Sequence, residues 1–108
     1  MTGASLGDFE LAVLLTVAAL DEGYGAAVRR DVSRRLGREC TVGAVYTTLQ
    51  RLEDKQLLRS FTTDPTPVRG GRSRRCYELT PLAHKVLRDA RQRQGRLWEG
   101  VSLTVKPT

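Results

Sequence analysis

VGAVYTTLQRLEDK, residues Val42 to Lys55, reads as a short helix with a small polar face. An extended run from Leu57 to Thr63 follows. Then come Pro65-Thr66-Pro67-Val68-Arg69-Gly70-Gly71-Arg72-Ser73-Arg74-Arg75 and a second extended run, Cys76 to Leu79. Within the helix, Val45, Leu49 and Leu52 form one apolar stripe. Gly43, Thr47, Gln50 and Asp54 fall opposite, with Tyr46 and Arg51 on the flanks. Thr41 stands where an N-cap belongs. Gly43 and Ala44 keep the first turn slim enough to approach a groove floor, and the free amides there favour phosphate. The two extended runs must pair antiparallel. Pro65 and Pro67 stiffen their link, and Gly70-Gly71 allow reversal and close approach to a backbone. Such a helix, followed by a ribbon with a Gly- and Arg-rich tip, is the sequence form of a winged helix-turn-helix. That element sets its helix in the DNA major groove and its ribbon tip along the backbone or minor groove.

The flanking segments complete a chain that is mainly α with a small two-stranded β wing. Ser5 with Asp8 has capping-box spacing, and a first helix is expected from Leu6 to Leu20. Phe9, Leu11, Val13, Leu14, Leu15, Val17 and Leu20 cover nearly its whole circumference, so it must be buried on more than one side. In a domain this small, the second partner is read as another subunit. A turn, Glu22-Gly23-Tyr24-Gly25, precedes a second helix, Ala26 to Leu36, whose apolar stripe is Val28, Val32 and Leu36. Gly37 ends it. Thr80-Pro81 starts a fourth helix running to about Leu97. Ala83, Leu87, Ala90, Gln94, Leu97 and Val101 step along it as a heptad seam. Residues 1–80 are therefore read as the winged helix-turn-helix domain, and residues 81–108 as a C-terminal dimerisation helix with a frayed tail.

The 108 residues suit one domain, with 40% hydrophobic and 28% charged side chains. Net charge is +6, and the pI is about 10.0. Fifteen of the eighteen cationic side chains are Arg, whose planar fork suits phosphate and guanine. Residues 1–22 carry four acids and no base. Residues 29–38 carry five Arg, and residues 69–75 carry four with no acid. A basic patch on one face follows, although a solvated Arg-rich surface accounts for the charge equally well when the helix and wing are set aside. Cys40 and Cys76 with a single His make zinc improbable and suit a reducing compartment; inert thiols are the default. No signal peptide or membrane span is evident, so a cytoplasmic, nucleoid-associated protein is expected. One His, no Cys/His pair, no phosphate loop and no paired carboxylates leave an enzyme without support; no cofactor or metal is expected.

Several pieces together resemble the PadR family of transcriptional regulators: LGDFELAVLLTVAAL (Leu6–Leu20), Tyr24-Gly25, GAVYTTLQRLEDKQLL (Gly43–Leu58), RGGRSRRCYELTP (Arg69–Pro81) and the long helix beyond. The resemblance implies a homodimeric winged-helix repressor on a partly palindromic operator, with the last helix contacting the partner's first helix. One departure is Gln56, where the family usually has Gly; a left-handed Gln costs roughly 1 kcal/mol, so the recognition helix is expected to end differently here.

The DNA contacts expected are Thr41, Gly43, Tyr46, Thr47, Gln50 and Arg51 from the helix, and Arg69, Gly70, Gly71, Arg72 and Arg74 from the wing. Gln50 suits adenine N6/N7, Arg51 and the wing arginines suit phosphate, and Tyr46 is either a phosphate donor or a half-buried core ring. The dimer interface is expected from Phe9, Val13 and Val17 with Leu87, Ala90, Gln94, Leu97 and Val101. Trp98, the only tryptophan, is either dimer packing or a platform for a small planar aromatic effector, which some members of the family hold at the dimer interface. The competing function is a winged-helix protein-interaction module without specific DNA binding.

Overall fold

In a computed structural model the described residues are 6–63 and 74–104. Three helices, α1 (Asp8–Ala19), α2 (Gly25–Leu36) and α3 (Val42–Asp54), precede a ribbon of β1 (Leu58–Thr62) and β2 (Arg75–Leu79). The long α4 (Pro81–Trp98) follows. The order and fold class are those the sequence pattern predicts.

α1 begins two residues later than expected. Gly7 is its N-cap, and Glu10, not Asp8, turns back to accept from the Gly7 N–H at 3.1 Å. Ser5 lies outside the described residues. The same Glu10 carboxylate takes the Lys55 ammonium at 2.9 Å, tying α1 to the end of α3. Burial alone pushes its pKa up; the Lys55 and Gly7 hydrogen bonds, with the charges of Lys55 and Arg51, more than offset this and hold it below the ordinary value.

Val13, Leu14 and Val17 of α1 meet Val28 and Val32 of α2, Val45, Leu49 and Leu52 of α3, and Leu57, Leu58 and Tyr77 of the ribbon in one buried core. Ala83 carries the start of α4 into the same core. The stripes read from the sequence therefore face inward. Val13 and Val17 correct an expectation, however: both are consumed by their own chain (0% and 4% exposed) and offer nothing to a partner. Phe9 is also partly buried against the core, with the Arg38 guanidinium 5.7 Å from its ring centroid.

β1 and β2 pair in the register Leu58↔Leu79, Ser60↔Tyr77 and Thr62↔Arg75. Tyr24 adds a bridge to Cys76 on the other edge of β2, and the Tyr77 N–H donates to the Gly23 carbonyl at 2.9 Å. The turn before α2 thus acts as a rudimentary third strand and fixes the ribbon against the helices.

α3 ends in a left-handed turn at Gln56 itself (φ 63°). The Leu57 N–H reaches the Leu52 carbonyl and the Gln56 N–H the Glu53 carbonyl, both at 2.9 Å. The expectation of a different ending is overturned, because burying Leu52 and Leu57 together outweighs the steric cost at one exposed backbone. Thr80 secures the same corner, its hydroxyl donating to the Gln56 carbonyl at 2.7 Å. Gln56→Gly should therefore stabilise the fold by about 0.5–1 kcal/mol, raising the melting temperature by a few degrees. An unchanged or lower midpoint would show that the Gln56 backbone carries no strain.

α4 leaves the core quickly. Thr80 caps it, accepting from the Ala83 N–H at 3.2 Å. Every described side chain from Arg91 onward is exposed, including Leu97 (75%) and Trp98 (54%). The helix stops at Trp98, with Gly100 left-handed, so Val101 lies beyond it and the predicted seam is shorter than its spacing suggests.

Candidate nucleic-acid interface

The outer row of α3 is open to solvent. Thr41, Gly43, Tyr46, Thr47, Gln50 and Arg51 are all exposed, while Val45, Thr48, Leu49 and Leu52 are buried beneath them. Thr41 caps the helix as expected, its Oγ1 accepting from the Ala44 N–H at 3.1 Å. Its hydroxyl proton remains available to an acceptor outside the helix. Gln50 is not loose: its Nε2 donates to Asp54 Oδ1 at 3.0 Å, one turn along. Among the described residues a second Nε2–H and the carbonyl have no partner, which is the donor and acceptor pair that adenine needs.

Tyr46 is 40% exposed, so it is neither a buried core ring nor a free one. It stands on Gly25. A Cβ at Gly25 would lie 2.7 Å from Tyr46 Cε1 and 2.8 Å from Cζ, so only glycine admits the ring there. The neighbouring Tyr24 carries the wing: the Arg74 guanidinium sits 5.2 Å from the Tyr24 ring centroid. Helix face and wing base are thus seated on consecutive residues of the α2 start. That start has no side-chain cap among the described residues. Arg69, Gly70, Gly71 and Arg72 lie outside the described residues. The sequence reading had Tyr24-Gly25 only as a turn and a family mark; its role as the joint between helix and wing depends on ring packing and carries no periodic signal.

α1 and α4 flank an open, largely apolar groove of about 500 Å³ lined by Leu11, Leu15, Leu87, Ala90 and Gln94 together with His84, Arg88 and Arg91. Of the α4 residues named from the sequence, Leu87, Ala90 and Gln94 line it, while Leu97 and Val101 lie outside it; α1 contributes Leu11 and Leu15 rather than Val13 and Val17.

The PadR-like family of transcriptional regulators matches residues 14–89. The chain belongs to this family. Its work is DNA-binding transcriptional regulation, not enzymic catalysis. No curated protein matches the chain in sequence. Among solved structures, a PadR family regulator from Clostridium difficile R20291 is 26% identical with a TM-score of 0.67, over 86% of this chain and 93% of that one. One from Eggerthella lenta DSM 2243 is 25% identical with a TM-score of 0.65, over 84% and 77%. The complex structure of hsRosR-S1 has a TM-score of 0.73 at 22% identity over 88% and 78%, a likeness of fold. Among the described residues no helix is long and apolar enough to cross a membrane.

In this PadR-like chain, Gly25→Ala should drive the Tyr46 ring out of its seat while leaving the core intact. If the tyrosine hydroxyl meets phosphate, duplex affinity falls about tenfold, the worth of one charge-assisted hydrogen bond. Titration of labelled duplex by fluorescence anisotropy measures it; wild-type affinity in this variant would remove Tyr46 from the contact.

Proposed function

We propose that the protein is a homodimeric, sequence-specific repressor that binds double-stranded DNA at a pseudo-palindromic operator. The observation that carries this reading is the joined surface: Tyr46 of the exposed α3 face on Gly25, and Arg74 of the wing on Tyr24. α3 enters the major groove. Thr47 and Gln50 read base edges; Thr41, Gly43, Tyr46 and Arg51 meet the backbone. Arg69, Gly70, Gly71, Arg72 and Arg74 follow the strand from the wing.

The second copy covers the α1–α4 groove and the bare end of α4. Leu11, Leu15, Leu87, Ala90, Gln94 and Leu97 form the interface, with Val101 packing beyond the helix end. Two-fold symmetry then places two α3 helices on successive major grooves, about 34 Å apart. Trp98 from each copy forms a site for a small planar aromatic effector that releases the operator. Residues 1–80 serve DNA, with α1 also in the dimer interface, and residues 81–108 serve the dimer; Ala83 packs in the core of the first part.

Selection of bound sites from random duplexes, with light scattering on the free protein, tests the whole. A partly palindromic motif and a mass twice 12.0 kDa are expected. Gln50→Ala should alter the motif more than the affinity. A salt-insensitive protein that enriches no sequence would favour the interaction-module reading instead, and planar compounds that leave Trp98 fluorescence unquenched would remove the effector.

A further inference from the structure

The corner between α3 and the wing holds a chain of side chains outside the set described above. Glu53 Oε2 accepts from the Ser60 hydroxyl at 2.7 Å, and Ser60 Oγ accepts from Arg75 Nε at 3.1 Å. Ser60 has one proton. Donated to the carboxylate, it leaves the oxygen lone pairs for the guanidinium, so the chain has a fixed direction from Arg75 to Glu53. Glu53 Oε1 is buried without a hydrogen-bond partner among the described residues, so the carboxylate's remaining charge acts on this corner unscreened by bonding.

Register puts Ser60 and Arg75 on one face. Arg75 pairs with Thr62 and Tyr77 with Ser60, and side chains two apart in a strand share a side. Arg75 is exposed, and among the described residues only its Nε–H is committed. The two terminal nitrogens, with four N–H groups, are left as a planar fork. Tyr77 locates the cluster relative to the α3 face. Burial pushes its phenol pKa up, Arg75 pulls it down, and Glu53 and Tyr46 push it up, so all three lie within electrostatic reach of one ring.

We propose that Arg75 is a further phosphate-binding residue, and that Ser60 with Glu53 is its positioning pair, presenting the fork to the DNA backbone where the duplex passes from α3 to the wing. This rests on the DNA-binding reading. A surface arginine must give up rotamer freedom to bind phosphate, and here the Nε bond removes that freedom in advance. The free fork matches the bidentate geometry of phosphate oxygens.

The test compares wild type with R75A, S60A and S60T, titrated into a labelled mixed-sequence duplex of about 30 base pairs over a range of salt, a length that spans two half-sites with margin. Melting temperatures are recorded alongside. R75A should flatten the log–log salt dependence by about 0.9, one phosphate contact. S60A removes no charge, so it should keep the wild-type slope and weaken binding roughly two- to tenfold at every salt concentration. S60T, which keeps the hydroxyl, should restore affinity. An R75A slope equal to wild type overturns the phosphate contact. Wild-type affinity in S60A, or weakened binding that S60T does not restore, overturns the positioning role. If the three residues only brace the ribbon, S60A and R75A lower the melting temperature and the R75A slope stays at wild type. Should wild type itself bind no duplex at low salt, the DNA-binding reading fails and takes this proposal with it; wild type binding with R75A unchanged sinks the proposal alone.

Discussion

Leu15→Lys is expected to convert the dimer to a monomer and to lower operator affinity by roughly a thousandfold, the avidity lost when two linked half-sites become one. Leu15 is 44% exposed and belongs to the α1–α4 groove rather than to the core of its own chain. In a lone chain the new ammonium is solvated and costs little. In a dimer it is buried twice by symmetry, beside Arg88 and Arg91 that line the same groove, with no carboxylate among the groove's residues to pair it. Removing such a charge from water without a partner costs several kcal/mol per copy. Light scattering should fall from twice to once the 12.0 kDa chain mass, while circular dichroism retains the helices. A doubled mass in this variant would place the subunit contact elsewhere.

Gly23→Ala should be the most damaging small substitution in the chain. Gly23 is buried, and a Cβ there would collide with the Tyr77 carbonyl oxygen, a backbone atom that cannot swing aside. It would also lie 3.5 Å from Val17 Cγ1, so the chain cannot escape toward α1 without disturbing the core. β2 must then move, and the hydrogen bond from the Tyr77 N–H to the Gly23 carbonyl is strained or lost. Overpacking plus one broken backbone bond costs about 2–4 kcal/mol, a fall of roughly 10–20 °C in melting temperature for a domain of this size. Since β2 also carries Arg75 and leads from Arg74, duplex binding should weaken with it. Near-wild-type melting would mean that the turn and β2 separate at little cost.

Gly23 and Gly25 look alike in the sequence, as two glycines around Tyr24 in a turn. The fold gives them different tasks, one holding β2 and the other seating Tyr46. Neither task has a period or a motif, because each depends on which distant backbone or ring arrives at that spot. The Glu53–Ser60–Arg75 chain escaped the sequence reading for a related reason. Strand alternation does put Arg75 on the side of Tyr77, but which side faces α3 is settled only when the ribbon docks.

What the linear pattern determined is the inventory of elements and the face each buries. Val45, Leu49 and Leu52 recur at helical spacing, Thr41 and Thr80 cap, and Gly37 terminates, all through local backbone chemistry and hydrophobic period. Those causes act within a turn or two of chain, so one sequence suffices to see them. α1 shows the limit. It is apolar all round, so its periodicity could not say which leucines and valines serve the core; three-dimensional packing took Val13 and Val17 inward and left Leu11 and Leu15 beside α4. Gln56 shows it again. Local sterics argue against a left-handed glutamine, and the burial of Leu52 and Leu57 in the core shared with α1 and α2 imposes it, because that tertiary burial outweighs about 1 kcal/mol of backbone strain.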